Sequence, residues 1–232
     1  MVIKHLRAGL NEFSVRHFLV ALILLLSVTP FVVELSWGKT LEAILLSLVL
    51  LTAVPAVGGR RRSLVSAILL VAPALLLTWL HHVQPHLVPR SVAIVPAIAF
   101  AIFVILHLLV FIMRAERVDS EVLCAAVATY LMLGLVWAMA YELVWVVAPD
   151  SFLVNPTAEG ERSINGFEAL YFSFGTLAPI TDNDIVPRSN LARLLVMIEA
   201  IVGMLFMGML IARLVGIYSG EEVAERAERD DE

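Results

Sequence analysis

From Ser91 to Met113 the chain contains no aspartate, glutamate, lysine or arginine. As a helix that run rises about 34 Å at 1.5 Å per residue. The hydrocarbon core of a bilayer is about 30 Å thick. Five more apolar runs accompany it: His17–Val33, Leu41–Val57, Leu64–Val83, Glu121–Ala148 and Ser189–Tyr218. The second is short for a full crossing. The chain is 60% hydrophobic and 16% charged, with a mean hydropathy of +0.92, whereas a soluble domain averages about 45–50% apolar and about 25% charged. The excess is too large for a buried core and must face lipid. The sequence therefore predicts an all-α membrane protein with six transmembrane helices.

Residues 1–17 are polar and basic, with Lys4, Arg7 and Arg16. A basic start before an apolar run resembles a secretion signal. The run is long, however, and no small-x-small cleavage site follows it, so it reads as a retained first helix. Orientation follows from the bias of lysine and arginine. With the N-terminus inside, eleven of the sixteen lysines and arginines lie in inner segments and five in outer ones. The triplet Arg60-Arg61-Arg62, in a short loop, is the strongest single anchor. Both termini are then expected in the cytoplasm, with the chain in the plasma or inner membrane. Trp37, Trp79, Trp137 and Trp145 fall mostly near outer ends, as an interfacial aromatic belt would. The single cysteine, Cys124, excludes an internal disulfide and reads as a small apolar residue within the fifth helix.

The stretch from Gly166 to Pro187 behaves differently. It is apolar and aromatic at first, then turns polar, and is too short to span a bilayer as a helix. Between two hydrophobic helices such a segment survives only by dipping in and returning, its non-helical backbone shielded by protein or facing a water-filled cavity. That describes a pore loop. Asn165 followed by Glu168 is close to a capping box, so a short helix is expected from Gly166 to about Gly175. Tyr171, Phe172 and Phe174 would wedge it between the fifth and sixth helices. The negative end of its dipole, roughly half a charge, favours a cation.

This region resembles the two-helix pore domain of the tetrameric potassium-channel superfamily. The likeness is carried by Ala169–Phe174, Thr176-Leu177, Asp184–Pro187, Leu191-Ala192-Arg193, Glu199-Ala200, Gly203 and Leu210–Gly216. Tyr141-Glu142-Leu143 and Pro149–Phe152 extend it, and it covers about residues 121–218. The resemblance implies a homotetramer in a lipid bilayer, with the pore on the fourfold axis. Gly203 matches the family's hinge position in the inner helix.

At its centre the sequence departs from the family. The pattern Thr-x-x-Thr-Val-Gly-Tyr-Gly-Asp is replaced by Thr176-Leu177-Ala178-Pro179-Ile180-Thr181-Asp182-Asn183-Asp184. A potassium filter aims successive backbone carbonyls inward, which requires left-handed conformations that glycine adopts cheaply. Thr181 is β-branched and unsuited to positive φ. Pro179 fixes φ and lacks an N–H. The expectation is that no potassium-selective filter forms. Asp182 and Asp184 would instead line a wider acidic mouth, since rings of carboxylates attract cations in weakly selective pores and hard divalent ions such as calcium are held by oxygen clusters. The alternative is a plain polar turn, for which Thr, Asp and Asn are ordinary residues.

Met204, Met207 and Ile211 of the sixth helix would line a cavity below, with Gly203 and Gly208 as hinges or as close-packing residues. Glu142 and Glu199 are acids inside apolar helices. They read either as braces around the pore or as ion-binding groups, bracing being favoured by the resemblance. Ser91–Met113 lacks the spaced arginines of a voltage sensor. His81, His82 and His86 could ligate zinc, but Pro85 interrupts them and no carboxylate or cysteine accompanies them. No catalytic set, cofactor motif or basic nucleic-acid-binding domain is present. The expected organisation is a four-helix region over 1–118, a pore domain over 119–218 and an acidic cytoplasmic tail over 219–232. The expected partners are copies of the chain, lipid and cations, both monovalent ions and calcium. A non-conducting scaffold or accessory subunit that keeps the channel fold is the alternative function.

Overall fold

A computed structural model of the chain describes residues 2–32, 35, 37–57, 61–115, 119–154, 164, 166–179 and 185–230. Side chains are described between Val15 and Val215 within these ranges, those of residues 61, 62 and 214 excepted.

Among the described residues seven α-helices form: α1 (Val2–Val32), α2 (Gly38–Val57), α3 (Arg61–Val83), α4 (Arg90–Arg114), α5 (Ser120–Val147), α6 (Gly166–Leu177) and α7 (Asn190–Asp230). All but α6 are long and apolar enough to cross a membrane. The six expected spans are thus present. The second reaches 20 residues, enough for about 30 Å, because Gly38 extends it by one turn. Gly38 lies so close to the Val32 carbonyl that a Cβ there would overlap it, which fits a tight α1–α2 corner. The basic N-terminal stretch is part of α1 and not a separate segment.

Local chemistry sets several helix starts. Asp119 accepts hydrogen bonds from the backbone N–H groups of Glu121 and Val122, capping α5. The Ser189 hydroxyl accepts from the Ala192 N–H at the start of α7. Pro30, Pro55, Pro73 and Pro96 all lie inside helices, as neighbouring helices permit in membrane bundles.

α5 is the centre of the bundle. α1, α4, α6 and α7 all pack on it, while α3 fits between α2 and α4. Over half of the α5 span is buried (56%), against 17% of the α7 span. The periphery, α7 above all, presents apolar side chains outward: Leu191, Ile201, Met204, Leu205 and Ile211 are exposed. A single apolar core runs from Phe18 and Leu22 of α1 through Phe100 and Val104 of α4 to Tyr141 of α5 and Phe172 of α6. The four-helix region and the pore segment therefore share one core.

Two short strands, absent from the sequence-based expectation, join the ends of the re-entrant segment. β1 (Phe152–Val154) pairs antiparallel with β2 (Ile185–Pro187), Leu153 facing Val186. The N–H groups of Arg188 and Ser189 both donate to the Ser151 carbonyl, at 2.8 and 3.2 Å. The chain's descent from α5 and its return to α7 are clasped at the same level.

Candidate functional site: the pore helix and its braces

α6 is 12 residues long, about 18 Å, so it does not cross the bilayer. It starts at Gly166, whose φ of +41° is the left-handed conformation that favours glycine. It ends two residues beyond the expected Gly175, at Leu177. The N–H of Ala178 still donates to the Phe174 carbonyl, and Pro179, with no N–H, cannot extend the ladder. Thr176 and Leu177 therefore belong to the last turn of the pore helix and not to the loop. The Thr176 hydroxyl donates to the Phe172 carbonyl at 2.9 Å, and both residues are buried. Ala178 and Pro179 form an exposed turn. Ile180, Thr181, Asp182, Asn183 and Asp184 lie outside the described residues, as does Asn165 of the expected capping box. Glu168, its other half, is in the first turn, with a buried Oε2 that has no hydrogen-bond partner.

The C-terminal end of α6 rests on Gly203 of α7. A Cβ at Gly203 would come within 2.7 Å of the Leu177 carbonyl oxygen and 2.9 Å of its side chain. Glycine is required here by close approach, and α7 runs through the position without a break. Gly203 stands 13 residues after Asn190, about 20 Å along α7, so the end of the pore helix reaches just past the middle of the 24-residue α7 span. At Gly208, by contrast, a Cβ would meet nothing within 4 Å. Met204, Met207 and Ile211 are exposed along one side of α7.

The pore helix is held by a buried polar network. Ser173 Oγ lies 2.6 Å from Glu199 Oε1 on α7 and 2.8 Å from the Gly134 carbonyl on α5. Tyr141 of α5 donates its hydroxyl to Glu199 Oε2. Glu199, Ser173 and Tyr141 are all essentially inaccessible. Burying a carboxylate is costly unless its oxygens are hydrogen-bonded, and both oxygens of Glu199 have partners. Aromatic packing surrounds the network. The Tyr141 and Phe172 rings meet edge to face at 4.9 Å, and Phe152 of β1 meets them at 5.7 and 5.9 Å. Such pairs contribute about 0.5–1.5 kcal/mol each beyond burial. The Phe174 ring occupies the space beside Gly134 that any side chain there would fill. Phe172 and Phe174 thus both pack on α5, whereas Tyr171, expected to wedge with them, is 48% exposed and lies beside Phe167.

Of Glu142 and Glu199, Glu199 is the one that hydrogen-bonds to the pore helix. Glu142 accepts two hydrogen bonds from Arg90 of α4, from Nε at 2.7 Å and from Nη2 at 3.1 Å. It joins the four-helix region to α5. Glu42 of α2 lies near this pair, and its carboxylate is about 3.5 Å from where a Gly166 Cβ would stand. Together with Thr29 and Thr78 these groups line an internal cavity of about 50 Å³ that reaches the start of the pore helix. At the opposite end of the bundle, Arg213 of α7 donates from Nη2 to the carbonyls of Met113, at 3.2 Å, and Ala115. These carbonyls stand at the C-terminal end of α4, where intrahelical donors run out.

The structure gives two of the three clustered histidines other partners. His81 and His82 lie in the last turn of α3, where His81 Nδ1 donates to the Val88 carbonyl and His82 Nε2 meets the Thr40 hydroxyl. No metal-binding group of His, Cys, Asp or Glu occurs among the described residues. Cys124 is half-buried against the core.

Six spanning helices with a braced, re-entrant helix between the last two define a multi-pass membrane protein with a channel-type pore segment. Residues 123–219 match the family model described as "Ion channel". Over this segment the chain is similar to that family, which is consistent with the potassium-channel superfamily. The match begins within α5 and leaves α1 to α4 outside it. Comparison with curated proteins found no match, and neither did comparison with solved structures.

Sequence reasoning misses Ser173, Tyr141 as a partner of Glu199, Gly134 and the β1–β2 clasp. A glycine and a serine amid apolar residues are the available signals, but the partners are 26 to 58 residues apart in the chain.

Proposed function

We propose that the protein is a homotetrameric cation channel whose pore mouth is acidic and not selective for potassium. The observation that carries this reading is the way α6 ends. A braced pore helix stops at Leu177, about midway along the α7 span, and Pro179 leads directly into Ile180-Thr181-Asp182-Asn183-Asp184. A potassium filter needs a glycine-bearing backbone at that point, and this chain has none. Cations are attracted by the pore-helix dipole and by Asp182 and Asp184, about eight carboxylates in a tetramer. Met204, Met207 and Ile211 line the cavity below. The exposed apolar faces of α6 and α7 are those that neighbouring copies would cover. Glu199 acts as a brace and not as an ion ligand, since both its oxygens are engaged.

In this reading residues 1–118 form a packing region and residues 119–218 the pore domain. Residues 219–232 form an acidic tail, whose part up to Asp230 belongs to α7. Both termini face the cytoplasm, because Arg16, Arg114 and Arg213 all lie at the end of the bundle that the excess of positive charge assigns to the inside.

Ion flux from purified protein in liposomes tests this, with potassium, sodium and calcium gradients compared in turn. Similar flux of several cations is expected. Strong preference for potassium would mean that a selective filter forms without glycine. Absence of flux, with the gate known to be open, would leave the scaffold function.

A further inference from the structure

At the arginine-bearing end of the bundle a crevice of about 340 Å³ opens between α2, α3 and α4. That is within the range of small-ligand sites, about 300–1,000 Å³. Its walls are of two kinds. Val57, Val110 and Phe111 are apolar, and Ser63, His107 and Arg114 are polar. Their order along α4 separates the two functions. Arg114 is the last residue of the helix, and His107 lies seven residues earlier, about 10 Å deeper into the span. The His107 ring does not turn toward water: its Nδ1–H donates to the Phe103 carbonyl at 2.9 Å and its ring packs on Phe103. The crevice therefore has a cationic rim and a slot that runs up along lipid-facing residues.

Two features at the rim suit an anion. Arg114 is exposed, and among the described lining residues there is no aspartate or glutamate. Ser63 lies in the first turn of α3, where backbone N–H groups lack helical partners. Basic pockets between transmembrane helices are suited to anionic headgroups. We propose that this crevice is a binding site for an anionic phospholipid, with the phosphate at Arg114 and Ser63 and an acyl chain along Val110, Phe111 and Val57. A lipid suits the crevice better than a free inorganic anion, because the inner slot is walled by Val57, Val110 and Phe111, which an acyl chain would cover and a small anion would not. The site lies outside the segment that matches the ion-channel family. It nevertheless touches the pore-lining helix through one residue. Ala115 lines the crevice, and its carbonyl accepts from Arg213 of α7.

Native mass spectrometry of the purified full chain, in neutral detergent with dioleoylphosphatidylglycerol or dioleoylphosphatidylcholine added, tests the site without any flux measurement. Failure of the channel reading would therefore not affect it. Phosphatidylglycerol should be retained in preference to phosphatidylcholine. Arg114→Ala should weaken its retention about fivefold, the effect of one basic residue near an anionic headgroup. Val110→Trp, which fills the slot and keeps the charge, should weaken it as well. Equal retention of the two lipids, or unchanged retention in both variants, would overturn the proposal. So would a thermal stabilisation by inorganic phosphate equal to that by phosphatidylglycerol, which would make the rim a simple anion site.

Discussion

The hydroxyl of Tyr141 donates to the carboxylate of Glu199, joining α5 to α7, while Ser173 of the pore helix occupies the other carboxylate oxygen. A single intramembrane acid thus fixes three helices relative to one another. Double-mutant cycles on interhelical hydrogen bonds in membranes give about 0.6 kcal/mol on average and about 1.7 at most. Tyr141→Phe and Glu199→Gln, singly and together, should show coupling in that range when unfolding is followed in detergent. Additive effects would mean that the contact does not stabilise the fold.

The two glycines of α7 should behave oppositely. Gly203→Ala places a methyl against the Leu177 carbonyl and should destabilise the fold by about 1–3 kcal/mol, the usual cost of overpacking. Gly208→Ala meets open space and should be neutral or stabilise α7 by up to about 1 kcal/mol, the helix-propensity difference. Thermal melts of the two variants side by side check this. A tolerated Gly203→Ala would show that the pore helix does not rest where the contact places it.

Breaking the Arg90–Glu142 pair should cost unequal amounts from its two sides. Arg90→Met leaves Glu142 and Glu42 facing one cavity with no cation among its described lining residues, whereas Glu142→Met leaves Arg90 with Glu42 nearby. The first should be the more destabilising, by about 1–3 kcal/mol after allowance for the partial exposure of Arg90. The double Met variant should recover much of the loss. Equal single effects would exclude Glu42 from the group.

If the acids of the mouth attract cations, Asp182→Asn or Asp184→Asn should lower calcium flux relative to sodium flux several-fold in liposomes, since carboxylate rings set cation preference. An unchanged ratio would remove these residues from the permeation pathway and leave a plain polar turn.

The six spans are legible in the sequence because each is a long, nearly uncharged run, and lipid admits few other structures for such a run. The re-entrant helix is legible from its length and from its abrupt change to polar residues. Its end falls two residues later than the sequence suggests. Gly175 looks like a stop, and nothing local reveals that Leu177 finds a seat on Gly203. The intramembrane position of Glu142 and Glu199 marks both as significant, but not with whom they pair. Local sequence does not distinguish the brace on the pore helix from the tie to α4.

The sequence by itself determined that this chain crosses a membrane six times, that a short helix dips between the last two crossings, and that the glycine-bearing filter is missing. Those properties follow from hydrophobic run length and from the conformational limits of single residues. Only the tertiary structure decided which acid holds the pore helix, why Gly203 cannot be larger, and that Phe152–Val154 pairs with Ile185–Pro187. Each of these depends on residues far apart in the chain meeting within a few ångströms, a condition set by the packing of α6 and α7 on α5.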